Sequence, residues 1–291
     1  MLIGKIWTLN KHIPRMALED IYLAYIRPVL EYGCTIYDNC SVALLQRLEH
    51  TQRRAALACT RAYSHTKHEN LLAELGWNKL EHRRSYLKLT TMYKIVHGNA
   101  PRYLQQLLPP APNFGYNLRN QNMIPLIRTR LVSFQQSYFP SVICDWNILD
   151  NEVKERPTAN SFKRALIRRM FTNKRSRLRS HGTGTGPINH ARLRMGLSGL
   201  NKHRHNYHFI DSHDCHQCNG PLENNNHYLL ACPRYHQQRR RMMQHLGNVP
   251  HLDLRDINCD ILLHGSRDIN VNNQTIFNIV QHYIVSTKRF A

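Results

Sequence analysis

Acidic residues are scarce in this chain, and one long stretch has none. Asp and Glu number 19 against 40 Lys and Arg in 291 residues, a formal charge of +21. From Arg156 to Ile210, 55 residues hold thirteen Lys and Arg and no acid, so the other 27 basic residues against 19 acidic ones give only +8. A surplus this large opposes folding through self-repulsion. Its ordinary use is to hold a polyanion, and RNA or DNA is the expected partner. Long apolar runs are also missing. None approaches the ~18 residues needed to span a bilayer, so no membrane partner is expected. The first residues, MLIGKIWTLNKHIPRM, are broken by Lys5, Asn10 and Lys11 and have no small-residue cleavage site, so they do not read as a secretory signal. The expectation is an intracellular chain, in the nucleus and/or a cytoplasmic ribonucleoprotein, where disulfides are disfavoured and clustered Cys and His indicate a metal. The glycine-rich SHGTGTGPINH is followed by no Gly-Lys-Ser/Thr and preceded by no strand, which excludes a phosphate loop and leaves a linker.

Hydrophobic content of 42% supports a core. The first hundred residues have helical periodicity: Leu18, Ile21, Tyr25 and Ile26 recur at three- and four-residue spacing, and Pro28 bends or ends that helix. Ser41 is placed to cap a helix with an apolar stripe of Leu44, Leu48, Ala55 and Cys59. Thr66 and Glu69 match a capping box for a helix that stops at Gly76, and KLEHRRSYLKLTTMYKIVHG reads as a further helix ending at Gly98. The arginines between these stripes read as solvated faces. From about 109 to 160 the chain is rich in β-branched and aromatic residues without clean helical period, predicting one or two short strands and a short helix. The fold class is mainly α. It is laid out as a helical domain at 1–110, a mixed α/β connector at 111–160, a basic linker at 161–205, a knuckle region at 206–246 and a C-terminal segment with a helix at 247–291.

Within that knuckle region, DCHQCNGPLENNNHYLLACP spaces Cys215-x2-Cys218-x8-His227-x4-Cys232. Three thiolates and one imidazole fill a tetrahedral zinc site and leave no position for a reactive water, so the expected Zn2+ is structural. Gly220 and Pro221 supply a turn. Leu229 and Leu230 would build a small core that depends on the metal. His213, His216 and His236 lie close by as alternative ligands. For phosphate contacts the candidates are Lys163, Arg164, Arg168, Arg169, Lys174, Arg175, Arg177, Arg179, Arg192, Arg194, Lys202 and Arg204. Tyr235 with Arg239, Arg240 and Arg241 would add an aromatic stacking surface beside positive charge. Asp253, Asp256 and Asp260 read as a surface patch.

Several stretches together resemble the region after the palm in reverse transcriptases of non-LTR (LINE-type) retrotransposons. These are IYLAYIRPVLEYG, LQRLEHTQRRAAL, LLAELGWNKLEHRR, YKIVHGNAPRYL, FPSVICDWNIL with SFKRAL, LRMGLSGLNKHRHNYHFI, HYLLACPRY and FNIVQHYIVSTKRF. The resemblance implies thumb-like helices, a connector and a zinc knuckle that grip RNA and DNA while a palm performs RNA-directed DNA synthesis. That chemistry needs an aromatic-x-Asp-Asp turn to hold two metal ions. No Asp-Asp pair occurs, nor any Pro-Asp…Asp/Glu-x-Lys nuclease pattern, so no catalytic residue is assigned. The expectation is a nucleic-acid-binding, zinc-stabilised fragment. Its rivals are a helical protein-interaction scaffold and a part of an active polymerase encoded upstream.

Overall fold

The structure is a computed structural model and describes residues 12–110, 123–171 and 184–290, with Gly4 and Thr8. It is mainly helical. Among the described residues no strand occurs, and the one isolated β-bridge pairs Cys215 with Gly220. The chain divides into two compact units that interleave in sequence, unlike the five consecutive segments expected. One comprises Met1–Ala24, Arg53–Trp77 and Arg175–Ala291, the other Tyr25–Gln52 and Asn78–Lys174.

In the second unit, the helix Leu80–Val96 packs against Tyr138–Asn147 and Ala159–Met170. Tyr93 stacks on Phe162 at 4.4 Å, and Val142, Ile143, Trp146 and Leu166 close the core around them. The strands expected between 109 and 160 are not present among the described residues. Pro140 lies in the first turn of Tyr138–Asn147, where a missing N–H costs nothing. Its apolar residues bury one helix face instead of alternating. The nearby backbone at Ile124 is paired by a side chain: Asn147 accepts from its N–H at 3.0 Å and donates to its carbonyl at 2.8 Å. Arg84 and Lys88 are buried and not solvated. Both bind Asp38 at 2.7 Å, and Arg83 binds Glu31 at 2.7 Å.

In the first unit, helices Thr185–Arg194, Cys259–His264 and His236–Leu246 pack on the C-terminal helix Asn273–Ser286. Much of the expected linker is therefore helix. Gly186 explains why glycine stands there, since a Cβ would meet the Gln281 carbonyl oxygen at 2.9 Å. Gly76 ends the helix His68–Leu75 in the left-handed region, as its place after Leu75 predicts, and Trp77 then stacks on Tyr22 at 4.0 Å. The capping box does not form: the helix begins after Lys67 and Thr66 is buried. Pro28 does not end its helix: it stands in the first turn of Arg27–Glu31, where its missing N–H is tolerated, directly after a π-helical segment, Tyr22–Ile26. Leu44 is exposed, so the buried stripe of Val42–Thr60 lies in its last turns, at Ala55, Ala56 and Cys59.

Glu74 ties three segments of this unit together. Its carboxylate takes Arg15 at 2.7 Å and Arg194 at 2.6 Å, all three side chains being nearly fully buried. Beside them, Asn70 donates to the Met195 carbonyl at 2.8 Å. Burial would raise the Glu74 carboxyl, but Arg194 and then Arg15 outweigh it and hold it at about 2. A depressed carboxyl stabilises the fold above its unfolded value, ordinarily near 4.5, and that contribution is lost as pH falls towards about 2. Glu74→Gln leaves buried Arg194 without a carboxylate and Arg15 with Glu19 alone, and urea denaturation at pH 7 should show a loss of about 3–5 kcal/mol. The gap to the natural chain should narrow as pH drops from 4.5 towards 2. A gap constant across that window would mean Glu74 does not carry its charge there.

Candidate metal centre

Cys215 and Cys218 lie on a tight reversal. The Cys215 N–H donates to the Gly220 carbonyl at 2.8 Å, and the Cys218 N–H to the Cys215 carbonyl at 3.3 Å. Asn219 takes a left-handed φ of 56° to complete the turn. Gly220 must be small, because a Cβ there would approach Cys218 Sγ to 3.2 Å and His227 Cε1 to 3.4 Å. The other two ligands stand five residues apart. On an α-helix they would point about 140° apart, at 3.6 residues per turn. The segment His227–Ala231 instead forms one π-helical turn, whose i→i+5 bond from Cys232 N–H to the His227 carbonyl is 2.6 Å long. This wider turn brings the two ligand side chains to one side. Asn224 fixes where the turn starts by accepting from the His227 N–H at 2.8 Å.

The ligand atoms of Cys215, Cys218, His227 and Cys232 all lie within 4.8 Å of one another. Cys215 and Cys232 Sγ are 3.9 Å apart, and Cys218 Sγ is 3.3 Å from His227 Nε2. With Zn–S near 2.3 Å and Zn–N near 2.0–2.1 Å, tetrahedral edges are about 3.8 Å for S···S and about 3.6 Å for S···N. The four residues therefore form a group able to hold one metal ion, with dimensions compatible with zinc. Burial pushes the Cys215 thiol up to about 12 and raises Cys232 as well. Ionising such thiols needs a cation beside them, which a bound metal supplies.

The centre is not the detached mini-core its sequence suggests. Cys215, Tyr228, Leu229, Cys232 and Tyr235 belong to the same core as Leu246, Phe277, Val280 and Tyr283. Tyr283 donates to the Tyr228 carbonyl at 2.6 Å, and Tyr228 Oη lies 2.7 Å from Thr287 Oγ1. The metal turn is thus bolted to the C-terminal helix. Glu223, the one acid between the first and last ligands, is buried. It binds Arg289 through both oxygens, at 2.7 and 2.6 Å, and accepts from the Asn201 N–H at 2.8 Å. Its Oε1 lies 3.9 Å from Cys215 Sγ. Arg239 donates to the carbonyls of Leu230, at 2.8 Å, and of the ligand Cys232. Sequence reasoning missed Glu223, Asn224 and Arg289. Only its place as the one acid between the first and last cluster residues marks Glu223 in the sequence.

The expected phosphate contacts divide. Arg164 and Arg168 are exposed on Ala159–Met170, with Lys163 partly so, whereas Arg169 is tied to Asp150. Lys174, Arg175, Arg177 and Arg179 lie outside the described residues. Arg194 is buried on Glu74, and Arg192 covers the Tyr63 ring at 4.1 Å while donating to the Arg61 carbonyl at 2.8 Å. The Lys202 backbone N–H donates to the Glu223 carbonyl at 3.1 Å, and Arg204 is exposed. Arg240 and Arg241 are exposed, but Tyr235 is 3% exposed, its ring turned onto Tyr228, so it offers no stacking face.

No known family profile matches the chain. No solved structure matches it. Among curated proteins it is similar to Uncharacterized protein B0403.1 of Caenorhabditis elegans, with 30% identity over 82 residues, 27% of this chain. The match spans 40% of that protein's length. No described helix is long and apolar enough to cross a membrane.

If the quartet holds zinc, elemental analysis of the purified chain should find about one ion per molecule. Cobalt substitution should give the visible bands of a tetrahedral thiolate site, and Cys232→Ser should lose both. Because the ligands sit in the main core, metal loss should lower Tm by about 10 °C or more. Less than about half an ion per chain would count against the site.

Proposed function

We propose that this chain is a zinc-stabilised nucleic-acid-binding protein, related to the C-terminal part of non-LTR retrotransposon reverse transcriptases and without catalytic residues of its own. The observation that carries the reading is how the charges are used. Acids are few, and the most buried ones are engaged by arginines: Glu74 by Arg15 and Arg194, Glu223 by Arg289. Arg164, Arg168, Arg204, Arg240 and Arg241 are exposed and form no ion pair with a described carboxylate. Unneutralised arginine of one sign suits a phosphate backbone, giving affinity with little sequence preference. The closed Cys3His quartet adds a rigid base and no open metal position for catalysis. The resemblance supports the class of ligand: RNA and DNA gripped on behalf of a polymerase palm.

A second reading, a protein-interaction scaffold, has its own observation. Tyr32 and Ile36 of the second unit are 86% and 82% exposed, with Tyr25, Val29 and Val42 also exposed. Apolar residues gathered within one short stretch suit a protein surface.

Filter binding of RNA and single-stranded DNA across a salt series separates the two readings. With all five arginines on phosphates, log K should fall with log[salt] at a slope near roughly −3.5, from about 0.7 per phosphate. The pairs Arg164→Gln with Arg168→Gln, and Arg240→Gln with Arg241→Gln, should each make the slope shallower. Affinity indifferent to salt sinks the nucleic-acid reading. Binding unmoved by these substitutions but lost in Tyr32→Asp with Ile36→Asp favours the scaffold.

A further inference from the structure

Apart from the metal centre, the first unit has a cleft of about 350 Å3 that nothing above has used. Tyr63, Phe209 and Phe290 line it, together with Arg204, Arg289 and the backbone at Gly199. Its size is that of an ordinary small-ligand pocket, yet its walls are unlike a core defect. Phe209 is 50% and Tyr63 41% exposed, a large outlay of aromatic surface to water. Neighbours support both rings: Arg192 lies over Tyr63 at 4.1 Å, and Phe209 meets Tyr207 at 6.3 Å and the edge of His65 at 5.3 Å. Phe290 is set against Gly199, where a Cβ would come within 3.1 Å of its ring. Ser198, also in the wall, lies 2.8 Å through Oγ from buried His203 Nδ1, which pins the loop.

The electrostatics have one sign. Among the described residues no carboxylate lines the cleft. Arg289 is neutralised by Glu223, but Arg204 has no described acidic partner, and Arg192 is bonded to a carbonyl and the Tyr63 ring. An anionic ligand with a flat apolar face fits both properties. Single-stranded nucleic acid has such faces at every base and a phosphate at every step, and aromatic platforms beside arginine are how such strands are held. A duplex keeps its bases stacked inside and cannot present one to the cleft.

We propose that this cleft takes an unstacked base of single-stranded RNA or DNA against Tyr63, Phe209 and Phe290, with an adjoining phosphate on Arg204. The inference rests on the nucleic-acid reading above and adds to it a place and a preference for single strands. Oligo(dT) and a duplex of equal length serve as probes, by fluorescence anisotropy. Tyr63→Ala and Phe209→Ala, at half-exposed positions, should each weaken oligo(dT) binding about tenfold, leaving duplex binding and metal content unchanged. Arg204→Gln should make the single-strand salt slope shallower by about 0.7. Photo-crosslinking with an iodouracil-substituted strand should attach at Tyr63, Phe209 or Phe290, read by mass spectrometry. Unchanged oligo(dT) affinity in the double aromatic variant, while the Arg164/Arg168 and Arg240/Arg241 variants still weaken it, overturns the cleft and spares the broader reading. Equal loss for duplex and single strand also overturns it. A natural chain that binds an acidic peptide in the cleft but no nucleic acid overturns both.

Discussion

A carboxylate buried between two arginines constrains everything attached to it, and Glu74 joins its own helix to two distant stretches of the first unit. Arg15 comes from the helix Arg15–Ile21, Glu74 from His68–Leu75 and Arg194 from the end of Thr185–Arg194. Separating Glu74 from Arg194 would leave a guanidinium without a carboxylate in the interior, where the penalty is several kcal/mol. Glu223 repeats the device among Arg289, Gly199 and the start of Asn201–Asn206. The interleaving of the two units in sequence follows from the first of these clamps, since residues near 15, 74 and 194 must meet. In a chain with so few acids, such use has an outward consequence. Each buried carboxylate takes its own arginines inside with it, Arg15 and Arg194 with Glu74 and Arg289 with Glu223, so the basic surface is made by arginines that meet no described carboxylate, such as Arg164, Arg168 and Arg204.

The metal quartet fits the same logic of local geometry answering a chemical demand. Two cysteines on a reversal closed by Gly220 give one edge of a tetrahedron, and a π-helical turn gives the other. A π turn has weaker packing along its axis than an α-helix and survives where something gains from it. Here Asn224 starts it, Tyr228 anchors it through Tyr283 and Thr287, and Arg239 holds its exit. The ligands are thereby presented from a surround that is already packed.

How much of this could be read in advance differs by level. Cys215, Cys218, His227 and Cys232 were legible because ligand chemistry and spacing are local. Gly76 and Gly98 were legible as stops because a left-handed residue after an apolar run has few other causes; both have φ above 60°. The pattern from 109 to 160 misled because β-branched and aromatic residues also fill a helix face when a tertiary neighbour such as the Leu80–Val96 helix is there to receive it. SHGTGTGPINH misled because its glycine signals close approach to another helix as readily as flexibility, and Gly186 packs on Gln281. Arg84 and Arg194 were mistaken for surface because charge does not reveal partners 46 or 120 residues away, Asp38 and Glu74, and Tyr235 because aromaticity does not reveal that its ring packs inward on Tyr228. Long-range pairing is what a single sequence carries least visibly.

The metal centre and the aromatic cleft are joined by a short covalent and hydrogen-bonded path. Phe290 forms a wall of the cleft and meets the Tyr228 ring at 5.3 Å, and Tyr228 follows the ligand His227 directly. Arg289, next to Phe290, is held by Glu223, whose Oε1 lies 3.9 Å from Cys215 Sγ. Both routes from Phe290 end at a metal ligand or its immediate neighbour. An ion that fixes the His227–Cys232 turn therefore fixes Tyr228, and through it the ring that faces the cleft. The role this path offers an ion in the quartet is positional, because Tyr228, next to His227, is also the neighbour of the Phe290 ring.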